Sequence, residues 1–340
     1  MTSRQPLGIP GEWEFPVGTL PLPTLTEAAE GANDLEILAQ NASVALFVDR
    51  AQAKRADFQV TVGNAPAITA LCSRLEGIPL ALELAAARAK ALTPGQMLTQ
   101  LEHRFDFLVS HQRDAEPRHH TLRAALDWSC DHLPTDVRRH YAAFSVFRGG
   151  WTIEAAEAVA ETMSALHPLE QLRDLSLVEA DEGPDGMRFR TLETVREHAA
   201  GILEEAELHA LRRRHAAHFA TFAERAEPGL IGPEQAAWLN RLEADHDNLR
   251  AAIDWCVSDS EHCDAETGLR LAAAAWRFWH IRGHLTEGRE RLAAVLQRSE
   301  SGGRTTHHAK ALNASGVLAW NQGDYSAARS LYHQLSLIHI

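Results

Sequence analysis

Residues 75–88 read Leu-Glu-Gly-Ile-Pro-Leu-Ala-Leu-Glu-Leu-Ala-Ala-Ala-Arg. Gly77, Ile78 and Pro79 break the chain, and the alanine and leucine run that follows predicts a helix over Leu80–Leu92. Pro79 then sits in the first turn, where a missing N–H has no helical partner to lose. Upstream, a helix is expected over Ala65–Leu75. Before it, Leu35, Leu38, Ala42, Ala45 and Leu46 recur at steps of three and four, continuing to Phe47 and Ala51. Val44–Asp49 has the outline of a strand ending in a magnesium ligand, but its continuation into Arg50-Ala51-Gln52 favours an amphipathic helix. Downstream, Thr93-Pro94 starts another helix with Thr93 as its cap. Residues 27–110 are therefore helical. Residues 1–26, with Pro6, Pro10, Pro16, Pro21 and Pro23 among glycines, read as extended.

Residues 111–120 form a polar linker, and residues 111–200 make one expected domain. Helices are predicted from Thr121 to Asp131, Thr135 to Val146, Thr152 to Ala160 and His167 to Asp174, with Gly149-Gly150 as a turn. Ser176–Glu179 and Arg188–Arg190 then flank a hairpin turn spanning Asp181–Gly186. Short helices followed by a hairpin give a winged-helix pattern. Residues 201–340 are helical again. Arg282-Gly283-His284-Leu285 aligns with Gln322-Gly323-Asp324-Tyr325 at an offset of 40 residues, Gly288 with Ala328, Leu292 with Tyr332 and Trp276 with Gly316. Small residues at these spacings let antiparallel helices approach closely, which is the signature of an α-solenoid of tetratricopeptide-like repeats. The fold class is thus mainly α: a helical segment, a winged-helix unit with a short β-hairpin, and helical repeats.

Composition limits the function. The chain has 340 residues, 45% hydrophobic and 23% charged, with a net charge of -13. Such a balance fits an ordinary globular protein of two or three domains. Its acidity repels nucleic acid and anionic membranes, so no direct nucleic-acid binding is expected. No apolar run approaches the roughly 18 residues of a membrane span and no signal peptide opens the chain. A cytoplasmic location is expected. Cys72, Cys130, Cys256 and Cys263 form no metal knuckle and read as free thiols.

Chemistry is sparse. A phosphate-cradling P-loop needs Gly-Lys before Ser or Thr. The three lysines, Lys54, Lys90 and Lys310, each follow alanine. No nucleophile with a base is apparent, so no catalytic residue is assigned and the chain is not expected to be an enzyme. His215 and His218 stand three apart on a helix without a carboxylate or cysteine to complete a ligand set; they read as surface or packed histidines, and no metal is assigned. Arg212-Arg213-Arg214, the sole basic run, follows Glu204, Glu205 and Glu207 and reads as a mixed-charge face. His167–Asp174, the groove-reading candidate, offers Glu170 and Asp174 against Arg173, the wrong balance for DNA. Trp276, Phe278 and Trp279, with Trp320 on a later helix, read as core between repeats, or else as a peptide-binding face.

Three stretches resemble a family. Thr2–Glu12 is similar to the sensor end of a nucleotide-binding core. Leu75–Arg88 resembles the GLPL motif of a helical lid. Thr121–Ser129, followed by Phe144–Gly150, resembles the winged-helix part. Together they resemble bacterial STAND ATPase regulators with an NB-ARC-like core and tetratricopeptide repeats, many of them transcriptional regulators of the LuxR or AfsR type. The resemblance implies that residues 1–26 are a remnant of the core, 27–110 the lid, 111–200 the winged helix and 201–340 the repeats. It also implies Arg4 as a sensor of the terminal phosphate and Pro79, after Gly77, near the adenine, provided a core is supplied. ATP or ADP would belong to the intact parent, with no cofactor held by this chain. Glu193 stands where related switches carry the histidine of a Met-His-Asp motif; a glutamate repels phosphate, so histidine-type sensing is not expected there. The implied role is a regulatory fragment coupling a nucleotide switch to a protein or small-molecule effector, with possible self-association. The alternative is a stand-alone helical-repeat scaffold indifferent to nucleotide. The apolar tail 336–340 and the opening segment together suggest an internal piece of a larger regulator.

Overall fold

The computed structural model describes residues 13, 15, 17–23, 32–101, 108, 121–131, 133–183, 186–258, 263–299 and 305–336. The chain is mainly helical and forms two compact units, one of residues 1–138 with 192–198 and one of residues 139–191 with 199–340. Among the described residues no helix is long and apolar enough to cross a membrane.

In the first unit α1 spans Ala32–Gln40, α2 Ala42–Gln52, α3 Ala65–Arg74, α4 Pro79–Ala86, α5 Pro94–Gln100 and α6 Leu122–Cys130. The periodic run from Leu35 to Ala51 is not one helix as its spacing suggests. Asn41 adopts an extended conformation and its side chain accepts from the N–H groups of Ser43 and Val44, so it caps α2 and ends α1. A side chain that offers the backbone an alternative partner interrupts an otherwise continuous helix. The helix expected to reach Leu92 likewise tightens into a 3₁₀ turn over Ala87–Lys90. Thr93 and Gln96 form a reciprocal capping box on α5, and the Thr121 hydroxyl accepts from Ala124 N–H at 2.8 Å. Val44 and Phe47 of α2, Ile68 and Leu71 of α3, and Leu82 and Ala85 of α4 share one core with Phe58 and Met97. Phe58 meets Phe47 edge-on at 5.9 Å. The proline-rich stretch 17–23 carries no helix or strand, as its composition demands. It is tied down by Ser43 Oγ donating to Pro21 O at 2.7 Å.

The helix α7, Thr135–Ala143, lies where the two units divide. In the second unit β1 spans Trp151–Thr152, α8 Ile153–Ala160, α9 Leu166–Asp174, β2 Glu179–Gly183 and β3 Gly186–Arg190. The hairpin is longer than its sequence suggests, because Asp181–Gly183 continue the ladder instead of turning. The turn residues 184–185 lie outside the described set. The two-residue strand β1 pairs antiparallel with β3, giving the order β1-β3-β2. Trp151 opposes Phe189 in that register and stacks on Phe147 at 4.9 Å.

The helix α10, Glu193–Ala200, follows the sheet. Next come α11 (Glu205–Ala226), α12 (Gln235–Ala244), α13 (His246–Val257), α14 (Ala265–Arg282), α15 (Leu285–Ser299), α16 (Thr306–Asn321) and α17 (Tyr325–Ser336). Two-residue and three-residue turns join α14 to α15 and α16 to α17, forcing each pair antiparallel. Gly283 and Gly323 occupy those turns with φ of 84° and 79°. The 40-residue offset thus corresponds to one helix pair. Gly316 is required by close approach: a Cβ there would stand 2.7 Å from the Tyr332 ring across the pair. Phe278 and Trp279 are fully buried in this stack. Trp320 is not core; it is 59% exposed and packs edge-on to the equally exposed Tyr325 at 4.8 Å.

Candidate functional site

The corner between α3 and α4 is built from backbone constraints. Glu76 and Gly77 both adopt positive φ, 55° and 65°. Consecutive left-handed residues turn the chain sharply and are costly for any residue with a Cβ. Gly77 cannot carry one in this place, because it would lie 2.2 Å from Leu20 O. The same approach lets Leu20 N–H donate to Gly77 O at 2.9 Å, so the extended stretch 17–23 is hydrogen-bonded to the corner. Pro79 occupies the first position of α4 and its ring is exposed. Of the three residues singled out from sequence, Gly77 and Pro79 thus share one corner. Arg4 lies outside the described residues.

Glu76 completes the corner. Its carboxylate reaches the start of α10 in the same unit, accepting from Glu193 N–H at 2.5 Å, Thr194 N–H at 2.9 Å and Thr194 Oγ at 2.9 Å. Thr194 is buried. A helix start presents unpaired N–H groups and a partial positive charge, so it favours an anion. Here a carboxylate of the chain fills that position. The Glu193 carboxylate turns instead to the Arg196 guanidinium, accepting from Nε at 2.7 Å and also from its second nitrogen. A second tie holds the same helix: His198 Nε2 lies 2.9 Å from Asp127 Oδ1 on α6. The two ties join the two stretches most like family motifs, 75–88 and 121–129, to one short helix. Glu76 belongs to the stretch 75–88, but its partner is 118 residues away. No local pattern could supply that pairing.

The second unit has a different joint, buried and built around Asn248. Its Oδ1 accepts from Arg148 N–H at 2.8 Å, and its Nδ2 donates to Gly150 O at 2.7 Å and to Asp245 Oδ1 at 3.2 Å. His215 Nε2 stands 3.3 Å from the same Oδ1. His215 is a packed histidine, between Phe147 and Phe219, and burial pushes it down to about 3 despite the Asn248 contact. An uncharged imidazole is what such a site tolerates. Arg188 on β3 adds two bonds to Asp245, at 2.8 and 3.2 Å, and one to Ala244 O at 3.0 Å. The turn Gly149-Gly150, the hairpin and the start of the α12–α13 stack are thereby tied together by hydrogen bonds.

No family model matches the chain. Over 304 residues, 87% of its length, it is 34% identical to proteins named "Putative HTH-type transcriptional regulator" in Mycobacterium bovis and Mycobacterium tuberculosis, of which the match covers 32%. Over 213 residues it is 32% identical to an uncharacterized protein of Mycobacterium tuberculosis, covering 60% of this chain and 49% of that one. A solved STAND protein with a tetratricopeptide repeat sensor from Pyrococcus horikoshii aligns over 87% of this chain and 53% of its own. Its identity is 12% and its TM-score 0.27. The chain is thus similar to about a third of a longer mycobacterial protein that carries a regulator's name.

Proposed function

We propose that the chain is the regulatory, signal-receiving part of a STAND-type transcriptional regulator of the LuxR or AfsR kind. In this reading ATP and ADP bind a core outside residues 1–340, residues 27–110 act as lid and 111–200 as winged helix. The helical repeats receive a protein or small-molecule effector, and a separate domain binds DNA. The observation that carries the reading is the bond from Glu76 to the start of α10. It joins the corner that resembles the GLPL motif to the segment where related switches sense a diphosphate. A phosphate group that displaced Glu76 from Glu193 N–H and Thr194 would release the helix, since both anions seek the same donors at a helix start. A switch of this kind needs the two nucleotide states to differ in that competition. The regulator name carried by the mycobacterial relatives supports the same reading.

The test is nucleotide titration. Calorimetry of Mg-ATP and Mg-ADP into the purified chain is expected to show no binding tighter than millimolar, and no phosphate release. The cradle that would hold the phosphates is not in this sequence. The DNA preceding the codon for Met1 is expected to encode an in-frame P-loop. The longer product should bind both nucleotides, and its effector response should depend on which is bound. Micromolar binding by the chain alone would contradict the proposal. So would effector binding that ignores nucleotide in the longer product. That second outcome would favour a nucleotide-independent scaffold, a reading to which the exposed Trp320–Tyr325 pair lends its support as a contact surface.

A further inference from the structure

Three side chains of the second unit converge where the α12–α13 corner meets the α14–α15 turn. Glu243 comes from the end of α12, His246 from the first position of α13, and His284 from the turn between α14 and α15. One ligand atom from each lies within 4.8 Å of the others. His284 Nε2 is 3.6 Å from a Glu243 carboxylate oxygen, and the two imidazole rings are centred 4.7 Å apart. Both Nε2 atoms are buried without a hydrogen-bond partner, and the His246 side chain is only 7% exposed. A buried imidazole nitrogen left unpaired is costly. His246 Nε2 has a Glu287 oxygen at 3.3 Å and His284 Nε2 a Glu243 oxygen at 3.6 Å, neither in hydrogen-bond geometry, so a shared partner would satisfy both rings.

We propose that Glu243, His246 and His284 form a binding site for one divalent transition-metal ion of the zinc class. Imidazole nitrogen and carboxylate oxygen are the donors such an ion takes, at about 2.0–2.2 Å. A tetrahedron with those bond lengths has ligand–ligand edges of roughly 3.3–3.6 Å. The His284–Glu243 separation already matches, and the exposed Glu243 carboxylate supplies the remaining adjustment. Phe278 walls the site, its ring centred 5.0 Å from His246 and 5.7 Å from His284.

The surrounding charges divide the roles. Glu287 Oε1 lies 3.3 Å from His246 Nε2, but Arg250 holds that carboxylate with two bonds, at 2.7 and 2.6 Å, and Arg291 with a third at 2.8 Å. Glu287 therefore serves as an outer anionic partner, not a ligand. Arg282 Nε is 3.5 Å from the other Glu243 oxygen and steadies it from outside. Asp247 is drawn to Arg250, also away from the ion. Three protein ligands leave the fourth position to solvent on the side of the partly exposed His284. Bound there, the ion would staple the α12–α13 corner to the α14–α15 turn, so metal occupancy would stiffen the start of the repeat stack. The sequence reading assigns no metal because the ligands are split, with His246 and His284 38 residues apart. The inference does not depend on the nucleotide reading.

The test uses the whole 340-residue chain, stripped with a chelator and titrated with Zn²⁺ and separately with Co²⁺. We expect one sub-micromolar equivalent, a rise in thermal midpoint, and a visible cobalt band of the low-coordinate type. Glu243→Gln and His284→Ala, both at partly exposed positions, should weaken binding at least about 10-fold, the scale of losing part of a metal's environment, and should remove the band. His333→Ala, at an exposed position on α17, should change neither. Absence of the band and of the thermal shift would overturn the proposal. So would tight binding that survives in both variants with normal circular dichroism, because the ion would then reside on other histidines.

Discussion

The first unit holds α10 by a carboxylate at a helix start, whereas the second fixes its hairpin by a buried neutral amide. Glu76 is only half-buried, and its carboxylate accepts from Glu193 N–H, Thr194 N–H and Thr194 Oγ at the start of one short helix. Asn248 is fully buried, and its bonds go to Arg148, Gly150, Asp245 and His215. A charged group near solvent can be exchanged for another anion or for water at modest cost, while a buried amide cannot leave its partners unmatched. The difference teaches where motion is affordable: the start of α10 can be released, and the joint between hairpin and repeats stays closed.

The sharpest way to break the comparison is at the corner that positions Glu76. Gly77→Ala should destabilise the chain by on the order of 4 kcal/mol, through left-handed strain plus contact with the Leu20 carbonyl. A urea midpoint within error of the parent would contradict the corner's role. Asn248→Ala should cost about 3 kcal/mol, since it orphans the Arg148 N–H and the Gly150 carbonyl in a buried site. A loss no larger than that at exposed positions would dissolve the contrast.

Acid should then act on the second joint first. His215 drops from 6.5 to about 3 on folding, through burial foremost, with His218 and Arg148 adding repulsion. The unfolded chain takes up a proton there that the folded chain refuses. The stabilisation is therefore full above about pH 6.5 and is lost as pH falls toward about 3. His218 and His246 are also lowered by burial and act with the same sign. Glu287, held down to about 2 by Arg250 and Arg291 against its burial, adds a loss only below about 4.5. Thermal midpoints should decline from about pH 7 to about pH 5, with a gentler slope in His215→Gln. A flat profile over that range would count against a neutral buried imidazole.

Smaller effects sharpen the first joint. Glu76→Gln keeps the shape but removes the charge from the helix start, and should cost about 1 kcal/mol. Trp320→Ala, at an exposed ring, should change stability by less than about 0.5 kcal/mol while weakening any effector held by the repeats. A larger stability loss would mean that Trp320 belongs to the core after all.

Local signals made much of the fold legible. Thr93, Thr121 and Thr152 cap the helices they precede, Gly149-Gly150 turns, and Gly283 and Gly323 mark equivalent bends one repeat apart. Each acts through backbone conformation or a bond spanning three or four residues, so sequence spacing contains it. The break at Asn41 is invisible to apolar spacing, which continues across it while its side chain ends one helix and starts the next. The strand β1 is two residues long and exists only through its pairing with β3. The site residues follow the same rule. Gly77 could be singled out as a chain break and by its place in the motif-like stretch 75–88, whereas its close approach to Leu20 O, 57 residues away, could not be read locally. The partners of Glu76 and Asn248 are fixed by contacts 117 and 100 residues apart, which no periodicity encodes.

The most direct test of the releasable first joint against the closed second one is amide hydrogen exchange, read at Glu193, Thr194 and Arg148. Glu193 and Thr194 are expected to exchange through local opening well before Arg148, and Glu76→Gln should accelerate those two amides while leaving Arg148 unchanged. Equal protection at all three amides, or an unchanged rate at Glu193 and Thr194 in Glu76→Gln, would contradict it.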